Sequence, residues 1–171
     1  MNSLPDLRSL SPVSARMCLA VERFCLHRLA LPHGMRLVLA LSGGADSTAL
    51  ACILHILSPR LELELFALTL DHGLRPEAEA DARWTQAFCA WLGIPCARRR
   101  VDVAGLAAAK GWGLEEAGRH TRYALLEEER RAQKANFVVL GHHAGDLSED
   151  VLLRLARGTG WPALGGMAAR D

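Results

Sequence analysis

RLVLALSGGADS, residues 36–47, is an apolar run that breaks into two glycines and a short polar cluster. Apolar residues in succession, without alternation, read as a strand buried on both faces, the habit of parallel sheets. From Ser47 the apolar spacing becomes helical and holds to about residue 57. Ser58-Pro59 is expected to end that helix, because the residue before a proline is pushed out of the helical region. A buried strand that turns through glycines into a helix is the first half of a βαβ unit.

The segments on either side repeat the alternation. Residues 12–31 carry Val13, Met17, Leu19, Ala20, Phe24 and Leu29 at helical spacing, with Ser11 or Ser14 as cap, so 1–35 reads as an N-terminal helical segment. Downstream, strands are expected at 63–70, 96–102 and 136–141. Helices are expected at 77–92, 103–110, 114–133 and 146–157, and Gly158-Thr159-Gly160-Trp161-Pro162 then breaks the pattern. Strands alternating with helices need right-handed crossovers. The expected fold is therefore α/β: one domain over 1–171, doubly wound, with a mainly parallel sheet and helices on both faces. Such sheets bind ligands at the carboxyl ends of their strands, which singles out the loops 42–47, 71–78 and 141–149.

Composition narrows the function classes. The chain has 171 residues, half of them hydrophobic and 23% charged, which is globular rather than disordered. Lys+Arg is 20 and Asp+Glu 19, so any contact with a polyanion has to come from a local patch. The five cysteines, Cys18, Cys25, Cys52, Cys89 and Cys96, form no Cys-x-x-Cys pair. They read as reduced thiols of a cytoplasmic protein rather than a disulfide framework or zinc site. No apolar run approaches the roughly 18 residues that span a membrane, and the N-terminus lacks a secretory pattern.

The first loop, Ser42, Gly43, Gly44, Ala45, Asp46 and Ser47, brings bare backbone and a helix start to one place. Backbone N–H groups there suit a phosphate, and the serine hydroxyls can donate to its oxygens. Asp46 would repel that phosphate unless a divalent cation lay between them, which implies Mg²⁺. The spacing is neither the Walker loop nor the dinucleotide fingerprint. A capped strand-to-helix turn is the plain alternative.

These residues carry a resemblance. SGGADS after a first strand resembles the PP-loop of the N-type ATP pyrophosphatases, which split ATP into AMP and pyrophosphate. Asp71-His72-Gly73-Leu74-Arg75 is similar to the second motif of the tRNA(Ile)-lysidine synthetases. Leu114 to Tyr123, LEEAGRHTRY, resembles their E-x-A-R-x-x-R-Y stretch, although its spacing also fits a solvated helix face. Leu140 to Gly160 follows their fourth motif at His142, His143, Asp146, Glu149, Arg154, Arg157, Gly158, Thr159 and Gly160. It departs at Gly145, often Asp or Asn, and at Asp150, often Thr. An acidic helix start that complements the dipole is the alternative there, and a zinc site on His142 and His143 lacks the usual spacing.

The resemblance covers about 36–167 and implies an adenine nucleotide alpha hydrolase-like, Rossmann-like fold. The implied reaction joins free L-lysine to C2 of the wobble cytidine in a tRNA(Ile) with a CAU anticodon, through an adenylated cytidine. Its cofactors are ATP and Mg²⁺. By the same token Ser42 to Ser47, Leu70, His72 and Arg75 bind ATP. Asp46, Asp146 and Glu149 hold Mg²⁺, and Arg119 or Arg122 steadies phosphate. Backbone near Leu39–Ala40 and Leu68–Leu70 is the expected adenine seat. A homodimer is among the expected assemblies. The family's catalytic domain and tRNA-binding parts are expected to continue beyond Asp171. The alternatives are a PP-loop tRNA thiolase, an amidotransferase-linked synthetase and a nucleotide-binding module without catalysis.

Overall fold

β1 (Arg36–Ala40) is the centre of the structure, a computed structural model that describes residues 6–73, 77–142 and 145. Its Val38 and Leu39 are wholly shielded from solvent, as an unalternating apolar run requires. β1 pairs in parallel with β2 (Glu64–Asp71) on one side and β4 (Phe137–Leu140) on the other. β2 pairs in parallel with β3 (Cys96–Arg100), giving the order β3-β2-β1-β4. The chain thus steps outward from β1 to β3, then returns to the far side of β1. That reversal separates the loops leaving β1 and β4 and opens a crevice at their carboxyl ends.

Alternate residues of the strands feed two core layers. Leu37, Leu39, Leu65 and Ala67 pack with Ala51 and Leu54 of α2 (Ala45–Leu61) and with Cys89 and Leu92 of α3 (Ala78–Leu92). Val38 and Leu68 face the other way and meet Leu126 of α5 (Leu114–Ala132). Helices therefore cover both faces, as expected. α1 (Pro12–Arg23) packs on α2 through Cys18, Leu57 and Leu61. α4 (Val103–Lys110) closes on α5 through Val103, Ala107 and Ala117. Burial raises the thiols of Cys18, Cys25 and Cys52 above the ordinary range.

Four expected boundaries shift, each for a local reason. α2 starts at Ala45, with Gly44 as its cap, and runs through Pro59 to Leu61 instead of stopping at Ser58. Pro59 has no N–H for the His55 carbonyl, and the Ser58 hydroxyl donates to that oxygen at 2.7 Å. The expected 12–31 helix is α-helical only to Arg23 and continues as one π-helical turn, Phe24–Arg28. β3 ends at Arg100, because Asp102 leaves the sheet to cap α4, its Oδ1 accepting from Gly105 N at 2.9 Å. β4 begins only at Phe137, because Asn136 brackets the start of β1, its Oδ1 accepting from Arg36 N at 2.8 Å. The expected helix at 146–157 lies outside the described residues. Among those described, no helix is long and apolar enough to cross a membrane.

Ser58→Ala should leave the His55 carbonyl without its substitute donor. We expect a loss of about 1 kcal/mol in urea unfolding, with an unchanged denaturant slope. A midpoint equal to that of the parent chain would show that solvent replaces the hydroxyl freely.

Candidate functional site

The loop that follows β1 enters α2 through a conformation that demands glycine. Gly43 has φ +81°, and a Cβ built there would lie 2.8 Å from Thr85 Oγ1 on α3. Ser42 Oγ accepts from Gly44 N at 3.3 Å and lies 3.2 Å from Ser47 Oγ. Ser47 Oγ in turn donates to Gly44 O at 3.1 Å. The two serines thus brace the loop internally. The start of α2, whose first-turn N–H groups have no acceptor one turn back, then borders the cleft.

Gly141, directly after β4, presses on the same turn. A Cβ there would lie 2.9 Å from Ser47 Cα and 3.0 Å from Ser47 N. Only a glycine lets the β4 loop come this close to backbone, so the phosphate-loop turn is held between α3 and the end of β4. β2 closes just as tightly: Asp71 Oδ1 accepts from Gly73 N at 2.9 Å, which aims the residue between them, His72.

Together these segments line a cleft of about 350 Å³ at the point where the strand order reverses. One side is apolar, with Ala40, Leu68, Leu70, Leu126 and Leu140. The other side is polar, with Ser42, Gly44, Asp46 and Ser47 from the loop, His72 after β2, Asp81 on α3, Arg122 on α5 and His142 after β4. The starts of α2 and α3 both border the cleft, at Ala45–Asp46 and Ala78, and each adds the positive end of a helix dipole. An apolar wall facing two helix starts and a guanidinium suits a planar base joined to phosphates.

The structure gathers Ser42, Gly44, Asp46, Ser47, Leu70, His72 and Arg122 at one cleft. Gly43 and Ala45 shape the loop beneath it. It separates the two candidate arginines: Arg122 lines the cleft, whereas Arg119 lies over the Tyr123 ring at 5.9 Å. Leu39 is buried on the α2 layer, away from the cleft that Ala40 and Leu68 line. Arg75, His143, Asp146 and Glu149 lie outside the described residues. Of the three expected metal ligands, Asp46 alone is therefore placed. Among the described residues no three His, Cys, Asp or Glu side chains stand together as a metal site. Sequence reasoning missed Asp81, Thr85 and Gly141. Gly141 carried a signal, a glycine at a strand end, but Asp81 looked like one more acid in an acidic helix start.

Three comparisons bear on this site. The family model described as PP-loop domain matches residues 19–171. The tRNA(Ile)-lysidine synthase of Nitratidesulfovibrio vulgaris is 58% identical over 134 residues, 78% of this chain and 39% of that protein. The tRNA(Ile)-lysidine synthase of Novosphingobium aromaticivorans is 38% identical over 150 residues, 88% of this chain and 44% of that protein. The chain therefore spans less than half the length of these relatives. Among solved structures, a U34-tRNA thiolase from Methanococcus maripaludis with its 4Fe–4S cluster superposes with a TM-score of 0.71 at 19% identity. The match covers 85% of this chain and 51% of the thiolase, and it shows a shared fold.

Gly141→Ala should force the β4 loop off the first turn of α2. We expect a loss of about 1–3 kcal/mol in chemical unfolding, the usual result of overpacking against atoms that cannot move aside. Unfolding indistinguishable from the parent chain would show that this contact does not hold the loop.

Proposed function

The chain belongs to the PP-loop domain family, and from that premise we propose that its cleft joins lysine to a tRNA cytidine at the expense of ATP. In this reading ATP adenylates the C2 oxygen of the wobble cytidine in a tRNA(Ile) with a CAU anticodon, releasing pyrophosphate. The amine of lysine then attacks C2, the bond to oxygen breaks, and AMP leaves with that oxygen. The carrying observation is that the SGGADS loop, the apolar wall and Arg122 share one cleft at the strand reversal. The names of the two curated relatives support the choice of reaction.

Each part of the cleft has a task. The N–H groups at the start of α2, with Ser42 and Ser47, grip the pyrophosphate portion of ATP. Ala40, Leu68, Leu70, Leu126 and Leu140 seat adenine. Arg122 meets the negative charge of the departing AMP with a planar two-pronged donor. Asp46 offers a hard carboxylate oxygen beside the phosphates, the donor chemistry that fits Mg²⁺. Asp146 and Glu149 are the remaining proposed ligands. The ion, when bound, neutralises phosphate charge that Asp46 would otherwise repel. Holding the base, the nucleotide and the amine together supplies the rest, since orientation alone can remove several kcal/mol of a barrier.

A sulfur-transferring reading needs a thiol at the cleft. All five cysteines are described, and none is among the residues that line it. Ligation of an amine is therefore the better fit.

Asp46→Ala should abolish ATP-dependent incorporation of lysine into the tRNA, measured with labelled lysine. Turnover within a few-fold of the parent chain would remove Asp46 from the metal site.

A further inference from the structure

Two acidic side chains line the described part of the cleft, and one of them does not belong to the phosphate loop: Asp46 sits on the loop and Asp81 faces it from the first turns of α3. Carboxylates at a helix start usually serve the dipole. Glu79 fits that role, its Oε1 accepting from Arg83 at 2.6 Å on the outside of the helix. Asp81 is placed differently. Its N–H donates to Glu77 O at 2.9 Å, and its carbonyl accepts from Thr85 Oγ1 at 2.8 Å. Thr85 is only 1% exposed, and it is the residue against which Gly43 is packed. A Cβ built on Gly43 would lie 3.8 Å from Asp81 O. Position 81 is thus fixed within contact range of the loop assigned to pyrophosphate.

A carboxylate held there is repelled by the nucleotide unless a cation stands between them. Asp46 has its cation in the divalent ion. The ligation reading brings a second cation into the same cleft, the amine of an amino acid, which is protonated at neutral pH. Without a carboxylate, the start of α3 would present an ammonium only with the positive end of a dipole. Ala78 and Ala82 line the cleft beside Asp81, and their small side chains leave space for an alkyl amine. We propose that Asp81 binds the ammonium group of the incoming amine and holds it against the phosphate loop. This assignment rests on the ligation reading and names the residue that selects its nucleophile.

The test compares Asp81→Asn with the parent chain, both folded by circular dichroism, in two measurements. Lysine binding to protein loaded with Mg²⁺ and a non-hydrolysable ATP analogue is followed by calorimetry, and steady-state ligation is followed with the tRNA. The expected result is at least a tenfold weaker Kd and a tenfold higher KM for lysine. The KM for ATP should stay within twofold, and Asp81→Glu should restore part of the affinity. Equal losses for ATP and lysine that excess Mg²⁺ relieves would make Asp81 a metal ligand and overturn the proposal. Unchanged lysine affinity would reduce it to a helix-start residue. If the parent chain binds lysine through Asp81 but forms no lysidine, the ligation reading fails and the amine site stands.

Discussion

The placement of β1 between β2 and β4, with helices against both faces, is the constraint from which the cleft follows. A strand buried on both sides cannot shift register without exposing one of its layers. Its carboxyl end is therefore a fixed point, and the chain reverses its outward progress beside it. The crevice at the reversal is a consequence of connectivity, and it stands where the glycine loop leaves β1.

Close packing then turns a crevice into a site. Gly43 gives α3 access to the loop from one side, and Gly141 gives the β4 end access from the other. The first turn of α2 is fixed between them, so its N–H groups need little rearrangement to meet an anion. Such preorganisation is where electrostatic catalysis gains most, because the donors are already oriented when charge develops. The same packing brings α3, and with it Asp81, next to the loop. The site thus offers two carboxylates of different origin to a polyanionic nucleotide. Both make physical sense when two cations, a metal and an amine, are to be held.

Most of the fold is legible in the sequence because its signals are local. Unbroken apolar runs mark β1 and β2, and Gly93 ends α3 where a left-handed residue is needed. What escapes sequence reading is compensation between neighbours. Pro59 signals a stop, and only the Ser58 hydroxyl at the His55 carbonyl explains why α2 continues. At the cleft, the phosphate loop is legible from its glycines and Asp46. The choice between Arg119 and Arg122 is not, since both fit one helical face, and the cleft wall separates them. Asp81 is illegible for a further reason: an acid in an acidic helix start has a sufficient local explanation. Its distance from Gly43 depends on how α3 folds back over the sheet.

The account stands or falls on which oxygen the nucleotide captures. Its most direct test places ¹⁸O at C2 of the wobble cytidine and follows the label by mass spectrometry after reaction with ATP, Mg²⁺ and lysine. Activation of the C2 oxygen in this cleft predicts that the label leaves in the phosphate of AMP, one atom for each lysine joined to the base. Label that stays in the RNA or appears in pyrophosphate would contradict it.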